Sequence, residues 1–550
     1  MQQEWLRLDS SDNLLVALRD LPAGHSLSLG GSTLYLSQNI QVKHKFTDRP
    51  LAAGAELIMY GVLVGKALVD IPAGGLIHTE NVVHAARSYE SRTHDYSWNP
   101  PDVSKWTNRE FLGYHRPDGR VGTANYWLVI PLVFCENRNI EAIRETMVEQ
   151  LGYGRRSETV IDVNLLIDAY RNGADAEAIL KVDPLRNGEP TRPKRVFPNV
   201  DGIKFLTHDG GCGGIRQDAE VLCELLAGYI SHPNVAGATV LSLGCQNAQI
   251  PLLKTALDKR GSASDKPVYY LEQQASKSER SFVAQAVKAT FAGLMKADLC
   301  TRAPSPLSAL TLGLECGGSD GFSGISANPT LGHVSDVLVA LKAKIVLAEF
   351  PELNGVEQEL IDRCETTRLA DKFSSLMRAY SDAAEAVGSG FKNNPSPGNI
   401  RDGLITDAMK SAGAAKKGGT GPVSDVLDYA EPVSKPGLSL LCTPGNDVES
   451  TTGLAGSGCN LIVFTTGLGT PTGNPIVPVV KMASNSTLAM RMADIIDFDA
   501  GPVITGEETI KERGDALLEL LINVASGKAQ TAAQRLGQDD FIPWKRGVSL

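Results

Sequence analysis

The chain has 550 residues and a formal net charge of −10, a length that points to about three to four domains. A 42% hydrophobic share is ample for several cores, and without a dense Lys/Arg cluster the acidic balance argues against nucleic acid as a partner. No run of about 18 apolar residues occurs, so no membrane span is expected.

Residues 1–86 read as a small β-rich unit. Short apolar alternations, "LLVALRD", "STLYLSQ" and "ELIMYGVLVGKALVD", are separated by turn signals, and "LPAGHSL" resembles "IPAGGLI" closely enough to suggest an internal repeat. The opening "MQQEWLRLDSSDN" lacks the basic-then-apolar pattern of a secretion signal. Nine cysteines form no CxxC pair, and an odd count of this kind fits free thiols in a reducing cytoplasm. Residues 87–108 are polar, aromatic and Pro-interrupted, which reads as a linker.

From residue 109 one pattern recurs. An apolar, β-branched run ends in a Gly-rich polar loop, and a helix-like segment often follows: "DGIKFLTH" into "DGGCGG", "GATVLSLG" into "CQNAQ", "LSALTLGL" into "ECGGSDGFSG", "AKIVLAE" into "FPELNG", "CNLIVFTTG" into "LGTPTGNP". Strands alternating with helices predict an α/β fold with mainly parallel sheets. A Gly/Pro-rich break near 388–425 either divides it into units at 109–390 and 391–550, the second completing the active site, or forms a long functional loop between them.

Parallel sheets bind ligands outside the carboxyl ends of their strands, where each of these loops lies. The loops supply His208, Asp209 and Cys212; Cys245, Gln246 and Asn247; Glu315, Cys316, Ser319 and Asp320; Glu349 and Glu352; Asn399; and Asn446, Asp447 and Glu449. Their glycines let backbone approach a ligand closely. Each cysteine can equally be a small buried hydrophobe, and Glu349 with Glu352 can simply favour a helix N-terminus. Lys416 and Lys417 read as solvated surface or as a guard for an anionic substrate. His44 and His78 stand where a half-buried strand usually carries apolar residues or threonine.

These strings resemble the altronate and galactarate dehydratases over nearly the whole chain. "DNLLVAL", "HKF", "IMYGVLVGKA" and "IHTEN" are similar to that family's N-terminal SAF-type domain. The body is similar through "DGRVGTANYWLVIP", "GCQNAQ", "LECGGSDGFSGISANPTLG", "NPSPGN", "PGND", "FTTGLGTPTGNPIVPVVKMASNS" and "IDFDAG". "NPSPGN" with "TPGND" looks closer to the altronate branch. Three departures stand out: Asp209 occupies a usual Thr position, Ala408 stands where the family has Glu, and Lys43 precedes His44 where many relatives have Gly.

The resemblance implies a metal-dependent lyase that dehydrates a sugar acid to a 2-keto-3-deoxy acid, using Fe²⁺ or Mn²⁺. Such a reaction needs a base for the C2 proton and help for the departing C3 hydroxyl. On this reading His208 is the base with Glu349 second, and Lys481 or a cluster of Gly-loop N–H groups neutralises the substrate carboxylate. The small domain closes over the site with His44 or His78. Asn328, Asn399, Asn446, Asp447, Ser319 and Asp320 bind substrate. Cys212, Cys245, Cys316 and His44 are the candidate metal ligands. An iron–sulfur cluster on the three loop cysteines is the alternative, although their separations of 33 and 71 residues match no standard cluster spacing. Elimination of sulfite by a related lyase, or sugar-acid binding without catalysis, are the competing functions. A homodimer is the default assembly.

Overall fold

The computed structural model describes residues 3–154, 159–187, 194–261, 266–547 and 549. Two parallel sheets form its body. Runs such as "YWLVIP" and "LIVFTT" are buried at every position, as a strand covered on both faces requires.

The first sheet has four strands in the spatial order Gly202–Phe205, Tyr126–Pro131, Val235–Ser242, Val268–Glu272. The second has seven: Val423–Leu427, Gly437–Leu441, Lys344–Leu347, Thr311–Cys316, Leu461–Thr466, Val479–Ala483, Phe498–Asp499. All pairings within both are parallel. The boundary expected at 390 falls inside the seven-stranded sheet, whose hydrogen bonding is continuous across it. A small antiparallel sheet, Val121–Gly122 with Glu110–His115 and Arg302–Pro306, holds the chain's entry to and exit from the four-stranded unit side by side.

The N-terminal residues form short antiparallel sheets, as their alternation predicts. One of their two cores, around Leu15, Leu27, Leu36 and Phe46, closes within the domain, and the other does not. Leu14, Val16, Leu57 and Met59 share one cluster with Phe322, Ile325, Ile405 and Met409. The small domain therefore seats on the loop after Thr311–Cys316 and on the helix Asp407–Ala414. The linker is tied down as well. Thr93 donates to Asp362, Trp98 Nε1 donates to Thr420 Oγ1, and Trp106 is buried in the core of the seven-stranded unit. Among the described residues, no helix is long and apolar enough to cross a membrane.

Candidate active site

The seven-stranded sheet reverses its winding beside Thr311–Cys316. Strands on one side of it come from Lys344–Leu347 and residues 423–441, and those on the other from residues 461–499. The crevice at the carboxyl ends there is the expected ligand position. Strand Thr311–Cys316 delivers Glu315 and Cys316, both buried. After Lys344–Leu347 the backbone turns left-handed at Glu349 (φ 66°) and enters the 3₁₀ turn Phe350–Leu353. A left-handed non-glycine residue costs about 1–2 kcal/mol. Here the bend carries Glu349 and Glu352 toward the same sulfur.

Cys316, Glu349 and Glu352 each offer a ligand atom within 4.8 Å of the others. Glu349 Oε2 accepts from the Cys316 backbone N–H at 3.0 Å, and the Cys316 thiol lies 3.1 Å from Glu352 Oε2. Lys417 Nζ donates to Cys316 Sγ at 2.7 Å and to Glu349 Oε2 at 2.8 Å, while Lys410 Nζ pairs with Glu352 Oε1 at 2.7 Å. Lys417 is only 1% exposed, so the surface reading of the "KK" pair fails for it. Its place inside the cluster comes from the short turn Ala415–Gly418, which carries no mark of burial in sequence.

The electrostatics follow from burial. Desolvation pushes the Cys316 thiol up, and Glu349 and Glu352 add to the effect. Burial and the neighbouring Glu349 hold Glu315 well above the usual carboxylate range. Glu349 is raised by burial against the pull of Lys417. Burial also opposes ionisation of Glu352, but Lys410 and Lys417 outweigh it and leave that carboxyl lowered. Asp447, at the start of helix Asp447–Ser457, is raised to about 7 by burial and by Glu349 and Glu352. Oε1 of Glu315 and Oε1 of Glu349 are buried with no amine, amide or hydroxyl to donate to them, and the two carboxyls share a hydrogen bond. A thiol and two carboxylates are what a divalent cation would satisfy.

The small domain meets this crevice through Lys43, whose Nζ bridges Asp320 at 3.0 Å and Asp402 at 2.9 Å. Lys45 is fully buried and donates to Gly403 O and Lys43 O. Desolvation pushes its ammonium down to about 7. A Cβ on Gly321 or Gly403 would stand 2.5 Å from Lys43 O, so both loops can press on this segment only as glycine. Ala408 is fully buried in the shared core of the small domain, and its Cβ is 2.9 Å from the Cβ that Gly355 lacks. A Glu at 408 has no room in this packing. The neighbouring Asp407 is a buried carboxyl instead, bonded to Asn354 Nδ2 at 2.6 Å and raised by burial to about 8.

The other expected residues are distributed as follows. His44 is half-buried, its Nδ1 3.2 Å from Val42 O, and His78 Nδ1 accepts from Glu80 N. Asn328 bonds Thr465 and Gly413 O, and Asn399 Nδ2 donates to Ser319 O, so both amides brace loops. Asn446 caps Asp447–Ser457. Asp320 gathers Ser323, Ser484, Asn485 and Lys43. Lys481 Nζ donates to Gln538 Oε1 in the C-terminal tail, and burial lowers it to about 8.

The four-stranded sheet presents a different strand-end region. His208 is buried; its Nδ1 accepts from the Gly210 N–H at 3.1 Å, which leaves Nε2–H to donate to Pro131 O at 2.9 Å. Burial lowers its pKa. Both ring nitrogens are thus committed to backbone. Cys212 and Cys245 are exposed, and neither joins the Cys316 group. The two regions adjoin at Glu449, whose carboxyl is raised by burial and by Asp209.

Residues 3–85 match the altronate/galactarate dehydratase SAF domain. Residues 113–298 match the D-galactarate dehydratase/altronate hydrolase second domain, and residues 307–549 the D-galactarate/altronate dehydratase C-terminal region. The altronate dehydratases of Escherichia coli K12 and Bacillus subtilis 168 are 33% and 32% identical, each over all of both chains. Galactarate dehydratase (L-threo-forming) of E. coli K12 is 30% identical over 97% of this chain and 95% of its own. The β subunit of (2R)-sulfolactate sulfo-lyase from Chromohalobacter salexigens is 29% identical over 79% of this chain and 97% of its own. With three family domains in order, end-to-end similarity to two curated dehydratases and a buried acid–thiol–lysine cluster at the sheet's switch point, the chain belongs to the altronate/galactarate dehydratase family of carbon–oxygen lyases.

Proposed function

We propose that this chain removes water from a 2,3-dihydroxy sugar acid to leave a 2-keto-3-deoxy acid, with an altronate-type aldonate ahead of an aldarate as substrate. The relatives named for altronate support that order at 33% and 32% identity, against 30% for the galactarate enzyme. The observation that carries the reading is Glu349. It is a buried carboxyl in a left-handed turn, with Oε2 held by Lys417 and the Cys316 N–H, and with a side-chain hydrogen bond to Glu315.

Cys316 and Glu352 would hold a divalent ion, Fe²⁺ or Mn²⁺ for this donor set, with Glu349 beside them left free as the base. Such an ion supplies Lewis-acid stabilisation of the charge that develops when the C2 proton is removed. Glu349 takes that proton, since burial raises its carboxyl toward the range of an effective base. Asp447, raised to about 7, gives a proton to the C3 hydroxyl as it leaves as water. The enol then ketonises. Lys410 faces the substrate carboxylate, and Lys43 with Asp320 and Asp402 holds the small domain over the crevice. His208 positions the neighbouring loop. Nine unpaired cysteines fit work in a reducing cytoplasm.

The test is a panel of aldonates and aldarates incubated under reducing conditions with Fe²⁺, Mn²⁺ or Mg²⁺, and after chelation. The expected result is 2-keto-3-deoxy product with Fe²⁺ or Mn²⁺, abolished by chelator and without acid-labile sulfide in the protein. Full turnover after exhaustive metal removal would sink the metal assignment. The sulfo-lyase relative supports a second reading, in which sulfite leaves C3 after the same proton step; sulfite release from a 2-hydroxy-3-sulfonate, without dehydration of any sugar acid, selects it.

A further inference from the structure

Lys410, on helix Asp407–Ala414, brings a buried ammonium to the crevice. Such a group has three N–H bonds in a tetrahedral arrangement. One goes to Glu352 Oε1 at 2.7 Å and a second to Asn394 Oδ1 at 3.1 Å. Among the described residues the third has no partner. Glu352 alone would leave the ammonium free to turn about the line joining Nζ to Oε1. A second acceptor removes that freedom and fixes the direction of the third bond.

Asn394 is itself held from two sides. It closes the 3₁₀ turn Phe391–Asn393, and its backbone N–H donates to Phe391 O at 2.8 Å. Phe391 is buried, with its ring edge-on to Tyr380 at 5.3 Å. On the other side, Asn394 Nδ2 lies 3.4 Å from Pro351 O, on the same short turn that carries Glu352. An amide with an ammonium on one flank and a backbone carbonyl on the other has only one sensible orientation, its oxygen toward the ammonium. Pro395 follows and has no N–H to continue the turn, so the chain leaves the site immediately after this contact. Asn394 therefore ties the turn that carries Glu352 to the helix that carries Lys410.

We propose, on the reading that Lys410 meets the substrate carboxylate, that Asn394 is a positioning residue. It aims the third N–H of Lys410 at that carboxylate, and so sets how far the site prefers a sugar acid to the uncharged amide of the same sugar acid. A charge-assisted hydrogen bond depends on direction as well as distance. The contact forms with bound substrate and persists through the reaction, so losing its aim weakens binding more than it slows chemistry.

The experiment is steady-state kinetics on the metal-loaded chain and on Asn394→Ala and Asn394→Asp. The substrate is the sugar acid that the parent dehydrates fastest, with altronate expected, and its amide serves as competitive inhibitor. Asn394→Ala should raise KM about tenfold, with kcat and the inhibition constant of the amide each changed less than about threefold. Asn394→Asp keeps an acceptor but sets a negative charge on the same ammonium and an oxygen against Pro351 O. It should raise KM further than Ala while still sparing the amide, and it decides the matter if the Ala variant does not fold by circular dichroism. Metal content should stay at the parental level in both, since Lys410 keeps Glu352. Equal losses for acid and amide, a loss confined to kcat, or a fall in bound metal each overturn the proposal, because a brace for the loop or for Glu352 predicts those results. Unchanged KM in both variants overturns it as well. A parent that dehydrates no sugar acid overturns the function first and this role with it, and is told apart by the parent's own inactivity.

Discussion

Both parallel sheets end their strands in Gly-rich polar loops, but the four-stranded one buries Glu136 beside Asn139, whereas the seven-stranded one draws a whole cluster of charges out of solvent. On the four-stranded sheet, Cys212 and Cys245 stay exposed and His208 spends both ring nitrogens on backbone. On the seven-stranded sheet, Cys316, Glu349, Glu352, Lys410 and Lys417 are buried together. The difference is what covers the loops. The helix Asp407–Ala414, the turn Ala415–Gly418 and the N-terminal domain close over the second set, while the first set is bordered by the C-terminal tail, with Phe541 6.5 Å from His208. Low dielectric strengthens each interaction inside a covered cluster and raises the cost of any unpaired group. Chemistry gathers where a lid excludes water, not wherever ligand-type residues follow a strand.

The largest expected effect tests that contrast directly. Glu349→Gln should lower kcat by about 10³-fold or more, because a neutral amide cannot take the C2 proton. His208→Gln should cost less than about tenfold in rate and appear instead as a lost buried hydrogen bond, on the order of 1–2 kcal/mol in denaturant unfolding. Steady-state kinetics on both variants decides between the two regions. A His208→Gln enzyme with Glu349-sized losses would move the base to the four-stranded side.

A smaller effect sharpens the role of the lid. Asp407 has a folded pKa of about 8 against an ordinary 3.8, so the folded chain binds the extra proton between those values. Its contribution to stability is full below the ordinary pKa and is lost as pH rises through about 8. Asp407→Asn removes that dependence and keeps an acceptor for Asn354. Urea unfolding at pH 5.5 and 8.5 should show the variant gaining on the parent at the higher pH. An equal difference at both values would mean the carboxyl is not held protonated by the closed lid.

The smallest expected effect is that of Cys212→Ser with Cys245→Ser, which should leave metal content and turnover within about twofold. The reason is that both thiols lie outside the buried group. Loss of bound iron in that double variant would favour the cluster alternative and erase the contrast between the sheets.

Period and punctuation in the chain were sufficient for the fold class: β-rich alternation before residue 86, then apolar runs ending in glycine loops. Cys316, Glu349 and Glu352 were legible as candidates, because strand-end position follows from local sequence. Lys417 was not, since "AKKG" has the composition of a solvated turn and is buried only because distant segments fold over it. The stretch at 388–425 reads in sequence as a domain edge or as a long loop, since Gly/Pro-rich composition looks the same whether or not one sheet has strands on both sides of it. The sequence alone determined which residue types stand at the ends of strands, because periodicity is local. Only the tertiary structure decided which of those ends were sealed from water, because burial is a property of chain segments that meet across hundreds of residues.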